Sequence, residues 1–168
     1  SAIWDVVIPE SRLPLPGAQL LRVTPNGLHE AAPMVIISTS FRVRYAETDA
    51  MGIVHHSSYI VWFEEGRSHY MRQVGFPYSR VERLGYYFTV VEVHARYVKP
   101  ARYDEKVIVD TWISELKSRG LTFSYRVRRS ADGMTLAEGY SRHVCITHDG
   151  KTTRIPDELR ALLIAGAS

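Results

Sequence analysis

One run of helical spacing, set in a chain otherwise patterned at period two, limits what this sequence can fold into. Tyr59, Trp62, Phe63, Gly66, Tyr70 and Val74 recur at three- and four-residue intervals, with Glu64, Glu65, Arg67 and Arg72 largely elsewhere on the wheel. Ser57 or Ser58 can cap the start of this helix, and Gly75 with Pro77 can stop it, so the pattern predicts one long helix over about 58–74. Before it, Phe41, Val43 and Tyr45 alternate with Arg42 and Arg44 as in a half-buried strand. After it, residues 88–97, 107–112, 121–129 and 135–147 read as strands. Asp132-Gly133 is a hairpin signal between the last two, Asp149-Gly150 marks another turn, and Pro156 suits the first turn of a short helix ending near Leu163. The order is strand, long helix, then four strands joined by hairpin-like links. It implies an α+β fold in which an antiparallel sheet of about five strands packs on one helix.

The 168 residues are enough for one well-buried core. Residues 1–38 read as an extension, because Pro9, Pro14, Pro16, Pro25 and Pro33 break any long helix or central strand there, and 39–168 form the folded domain. No window approaches the roughly 20 uninterrupted apolar residues of a membrane helix. No basic cluster precedes the apolar residues of the first nine positions, so a secretory signal is a poor reading and the cytoplasm is the expected compartment. Cys145 is the sole cysteine, which excludes an internal disulfide and a cysteine-built zinc site, and its strand context marks it as a small buried residue. A net charge of +3 suits an anionic ligand. The arginines are spread along strands and turns, which argues against a dedicated nucleic-acid binder.

The chemistry concentrates in residues 45–59, where Asp49 stands on a loop between a strand end and a helix N-terminus. Such a terminus offers unpaired N–H groups and partial positive charge to a developing oxyanion. A nearby carboxylate can attack a carbonyl or take a proton from water. Taken alone, a loop aspartate serves equally as a turn or cap residue.

The run Tyr45-Ala46-Glu47-Thr48-Asp49-Ala50-Met51-Gly52-Ile53-Val54-His55-His56-Ser57-Ser58-Tyr59 resembles the signature of the hotdog-fold acyl-CoA thioesterases of the 4-hydroxybenzoyl-CoA thioesterase superfamily, in particular the YbgC-like branch. Trp62-Phe63-Glu64 with Arg67, and the turn Tyr97-Val98-Lys99-Pro100-Ala101-Arg102, extend the resemblance over about 41–163. Ser58, where the branch commonly carries asparagine, and Ala46 with Met51 depart from it. The resemblance implies a hotdog fold, hydrolysis of an acyl-CoA to free acid and CoA, and a homodimer or homotetramer with sites at a subunit interface. No metal and no redox cofactor are implied. Asp49 then matches the catalytic carboxylate, as nucleophile or as general base. His56 matches the residue whose backbone N–H polarises the thioester carbonyl, with its imidazole either assisting proton transfer or facing solvent. Tyr45 matches a tyrosine proposed to orient the acid, although the strand pattern makes it the last core residue of its strand. Glu64 is a reserve acid, expected to pair with Arg67. Lys99, Arg102, Arg119, Arg126 and Arg128 are candidates for one or two contacts to the CoA phosphates. A non-catalytic acyl-CoA-binding module and another hotdog acyl-thioester enzyme, a dehydratase or hydratase, are the alternatives.

Overall fold

The computed structural model describes residues 35–166, together with the backbone of 19–23 and 29–33. The readings made for 1–18 lie outside the described residues. Two short strands, β1 (Gln19–Val23) and β2 (His29–Pro33), pair antiparallel ahead of the main sheet. That sheet is built from β3 (Ile37–Arg42), β4 (Tyr86–Tyr97), β5 (Lys106–Leu116), β6 (Gly120–Arg129) and β7 (Thr135–Thr147), all paired antiparallel in the order β3-β5-β6-β7-β4. Helix α1 (His56–Gln73) packs on one face, with the short helix α2 (Tyr78–Arg83) after it and α3 (Asp157–Gly166) near the C-terminus. This is the hotdog arrangement expected from the sequence.

The apolar stripe of α1 becomes the core: Tyr59, Trp62, Phe63, Gly66, Tyr70 and Met71 are buried against Val107, Val109, Phe123, Tyr125 and Val127 of the sheet. Two glycines set how deeply the helix lies. A Cβ on Gly66 would stand 2.5 Å from the Thr111 hydroxyl, and one on Gly139 would stand 2.7 Å from the Phe63 ring and 2.1 Å from the His94 carbonyl oxygen. With both positions bare, Phe63 stacks on Tyr125 with centroids 4.4 Å apart and planes 5° from parallel.

Several elements differ from the sequence reading, among them β1 and β2, which were not read as strands, and β5, which runs on to Leu116. The first strand ends at Arg42, because the Arg44 amide is taken by the Glu47 side chain and the chain curls through a single 3-10 turn, Tyr45–Glu47. Tyr45 is therefore no core residue and is 77% exposed. Helix α1 starts at His56, two residues earlier than read, and its cap is His55 rather than a serine. Helix α2 went unread because six residues are too few to display a helical period, and Pro77, read only as a stop, is also the residue that opens it.

The core carries one polar chain. Tyr125 Oη and Ser141 Oγ lie 2.5 Å apart, and Ser141 Oγ is 2.7 Å from His143 Nε2. His143 is 3% exposed, and burial, with a lesser contribution from the Arg67 charge, lowers its pKa to about 4. Its neutral form is the folded form, so the unfolded chain, with an ordinary histidine pKa near 6.5, binds the proton first as pH falls. The contribution is fully present above about pH 6.5 and is lost between there and about pH 4, amounting to about 3 kcal/mol. Urea titrations at pH 7.5 and pH 5 should show the parent losing more stability over this interval than His143→Leu, whose loss reflects the remaining titratable groups.

Candidate active site

The strand β3 delivers the chain to the site, and a buried carboxylate turns it. Glu47 is 8% exposed. Its Oε2 accepts the Arg44 N–H at 2.8 Å, while Oε1 accepts the Arg44 guanidinium at 2.7 Å and the Trp62 indole N–H at 2.9 Å. Burial works to raise the Glu47 pKa, but the Arg44 and Trp62 donors outweigh it and hold the carboxyl below its ordinary value. The Glu47 carbonyl accepts the His55 N–H at 2.8 Å and the Ser58 hydroxyl at 3.4 Å. One residue thus binds the turn on both sides to the first part of α1.

Between these anchors the chain makes a small antiparallel loop closed by a Thr48–Val54 bridge. The Asp49 N–H donates to the Ile53 carbonyl at 2.9 Å, the Gly52 N–H returns to the Asp49 carbonyl at 2.9 Å, and Gly52 takes a φ of 72° that suits glycine. The Asp49 Oδ1 accepts the Met51 N–H at 2.8 Å. Its Oδ2 has no hydrogen-bond partner among the described residues. Asp49 is half-buried at the mouth of the loop.

Three residues beyond Ile53, a span of at most about 10 Å, the chain enters α1. The cap is made by the His55 ring, whose Nδ1 accepts the Ser57 N–H at 3.3 Å and lies 2.7 Å from the Ser57 hydroxyl, an arrangement that keeps the ring proton on Nε2. The N–H of His56, at the first helical position, has no intrahelical partner by construction. It has none among the other described residues either. Its ring is exposed, beside His55 at 4.1 Å and Tyr97 at 6.4 Å between centroids.

The segment after β4 closes the other side. The Tyr97 hydroxyl donates to the His56 carbonyl at 2.9 Å, the Val54 N–H donates to the Ala101 carbonyl at 2.9 Å, and the Ala101 N–H reaches the Tyr59 hydroxyl at 3.3 Å. An aromatic chain, Phe41–Trp62–Tyr59–Tyr97, runs behind these contacts with successive centroids 5.6, 4.7 and 5.2 Å apart. Among the described residues, cavities lie on two sides of α1. One of about 420 Å³ lies toward β3, lined in part by Phe41, Arg44, Val61 and Trp62, and one of about 200 Å³ lies toward β4 and α2, lined in part by Arg67, Tyr78 and Phe88. Glu64 borders both, and it meets Arg67 at 3.8 Å as the sequence suggests.

Asp49 follows Thr48, and His56 stands two residues beyond Val54, so the Thr48–Val54 bridge ties the two stretches of chain that carry them. Tyr45 instead lies out on the surface, edge-on to Tyr103 with centroids 5.6 Å apart. The five basic residues do not converge on Asp49. Lys99 and Arg102 stand in the segment beside it, but Arg128 is paired with Asp110 at 2.7 Å, and Arg126 faces Glu138 across the strands. Both of those arginines project from the face opposite α1, since the Cβ direction of Gly139 points to Phe63 and neighbouring positions alternate. Arg119 sits in the β5–β6 turn, where its carbonyl accepts the Cys145 N–H beside Phe88. That is about 30 Å along β4 from the Tyr97 end. Strand residues at period two show which face they take only once the partner strands are known. Sequence reasoning missed Glu47, Trp62 and Tyr97 as members of the site; the signal available was a carboxylate that has to sit among apolar residues.

The family model of the Thioesterase-like superfamily matches residues 43–163. The chain belongs to that superfamily. It is 36% identical over 113 residues to YneP of Bacillus subtilis, an alignment spanning 67% of this chain and 81% of that protein. It is 30% identical over 122 residues to the acyl-CoA thioesterase YbgC of Haemophilus influenzae, spanning 71% and 88%. The crystal structure of the protein TT1821 from Thermus thermophilus superposes with a TM-score of 0.73 at 45% identity, covering 76% of this chain and 97% of that one.

The His55 cap has a measurable worth. His55→Ala removes the side-chain acceptor and should cost about 1 kcal/mol in urea unfolding, whereas His56→Ala, which leaves the backbone N–H in place, should cost a few tenths.

Proposed function

We propose that this protein is an acyl-CoA thioesterase, hydrolysing an acyl-CoA to free acid and CoA with Asp49 as the acting carboxylate. The observation that carries the reading is an unpartnered Asp49 carboxylate oxygen on the loop that leads to the open His56 N–H at the head of an 18-residue helix, in a chain of the thioesterase superfamily. The thioester carbonyl oxygen accepts the His56 N–H, and the helix dipole favours the negative charge that gathers there. As general base, Asp49 takes a proton from water while the water oxygen bonds to the carbonyl carbon. Collapse of that adduct breaks the carbon–sulfur bond, and the departing thiolate is protonated in turn. As nucleophile, the Asp49 oxygen itself bonds to the carbon, the thiolate leaves, and water cleaves the mixed anhydride. Either route runs on water, a carboxylate and an oriented N–H, without a metal or redox cofactor.

A homodimer belongs to the same proposal. Strand β4 is a twelve-residue sheet edge that exposes Val90, Val91 and Val93, and an apolar edge of this length demands a cover. Pairing two β4 edges antiparallel about a two-fold axis turns each protomer's β5–β6 turn toward the other's Asp49 loop. Arg119 would then join Lys99 and Arg102 as a contact for CoA phosphates.

Free-thiol release from a panel of acyl-CoA esters tests the activity. Asp49→Asn should keep the fold and lose about 10²–10⁴ in kcat against the parent; saturable binding of the esters with no thiol released by the parent would replace the enzyme with a binding module. Sedimentation of Val91→Lys/Val93→Lys should show monomers at concentrations where the parent is a dimer, and a parent that sediments as a monomer would remove the β4 pairing.

A further inference from the structure

Glu47 is buried, charged and two residues from Asp49, yet the chemistry proposed above gives it nothing to do. Taking a carboxylate out of water is unfavourable unless its oxygens are satisfied. All three donors to Glu47 come from the two elements whose separation defines the site: Arg44 at the entry to the 3-10 turn and Trp62 in the second turn of α1. The indole can hold only one position, since Trp62 is 1% exposed and wedged between Phe41 and Tyr59. The backbone repeats the link, with the Glu47 carbonyl held by the His55 N–H and the Ser58 hydroxyl.

The consequence falls on Asp49. From Glu47 the chain has one residue, Thr48, before the loop bridge closes with Val54. The Thr48 hydroxyl donates back to the Tyr45 carbonyl at 2.7 Å, which fixes the intervening turn as well. An inward Glu47 therefore fixes where the chain leaves the core, and the next carboxylate along emerges at the loop mouth beside the helix head. We infer that Glu47 is a positioning residue for Asp49, a buried anion that fixes the distance between the acting carboxylate and the first N–H of α1 by gripping the Trp62 indole on one side and the Arg44 amide and guanidinium on the other. The inference rests on the thioesterase reading for its effect on rate, and on the hydrogen bonds alone for its effect on the loop.

Glu47→Gln tests it, because the amide keeps the shape and surrenders the charge and one acceptor oxygen. Trp62→Phe, which deletes a single donor, serves as a second variant should Glu47→Gln fail to fold. On an ester the parent hydrolyses, the expected result is a kcat ten- to a hundredfold lower with KM within about twofold, because a displaced Asp49 weakens the transition state more than substrate binding. In an Asp49→Asn background, Glu47→Gln should change the residual rate less than twofold, since the group it positions is already gone. Amide exchange followed by NMR supplies a readout that needs no activity: Met51, Gly52 and His55 should exchange at least tenfold faster in Glu47→Gln, with the β5 and β6 amides unchanged. Parent-like exchange at those three amides, or an equal loss of rate with and without Asp49, would overturn the inference. A parent inactive on every ester would remove the thioesterase reading, and the exchange result would then decide the role of Glu47 by itself.

Discussion

The depth at which α1 lies in the concave face of the sheet governs the rest of the molecule. Gly66 on the helix and Gly139 on β7 remove side chains at two crossing points, and the Phe63 ring occupies the space that Gly139 leaves. Interiors packed like crystals do not absorb a methyl group in such places without moving something. Because α1 is one stiff rod of 18 residues, its seating also fixes where its first turn stands relative to the loop from β3. The site is thus an outcome of core packing: aromatic contacts along the helix locate its head, and the polar contacts of Glu47 and Tyr97 bring the flanking segments up to it.

The same packing divides the charged residues into two populations. Asp110 with Arg128, and Glu92 with Arg142 and Tyr140, form cross-strand pairs on the face away from α1, where a sheet presents polar side chains. Inside, the Tyr125–Ser141–His143 chain and the Glu47 cluster are hydrogen-bonded, while Thr111 Oγ1 and His143 Nδ1 are buried without a hydrogen-bond partner among the described residues. Glu47 differs from His143 in the form it keeps: donors hold the first as an anion, and desolvation holds the second neutral. Neighbouring structure, rather than residue type, determines which titratable group of this chain stays charged.

Much of the fold was legible in the sequence because α1 and the strands β4 to β7 have lengths and periods that local chemistry alone prescribes. The Asp132-Gly133 turn fell where it was read, with Gly133 at a φ of 73°, and β7 kept the bounds expected of it. Asp49 and His56 were singled out through the signature they belong to. Tyr45 was misplaced because period two continues through it in the sequence, while the capture of the Arg44 amide by Glu47 ends the strand earlier. The basic residues could not be told apart, because a list of arginines carries no information on which face or end of a sheet each one occupies. Glu47 itself was visible as one acidic letter in a signature. Its role depends on Trp62, fifteen residues away, and only the packed helix joins them.

The position of β4 has a consequence for how the chain is made. It follows α1 and the short α2, yet its partner in the sheet is β7, so Val90 pairs with His143 more than fifty residues later. Pairings this distant in sequence form slowly, since a long loop has to close before they bring any gain. During synthesis β4 emerges with its valines and tyrosines and waits unpaired while β5 and β6 build the opposite half of the sheet. A strand that ends as an open edge of the finished protomer is therefore also one that stays unpaired while β5 and β6 are made. That is the interval in which a nascent chain of this topology most needs a holding partner.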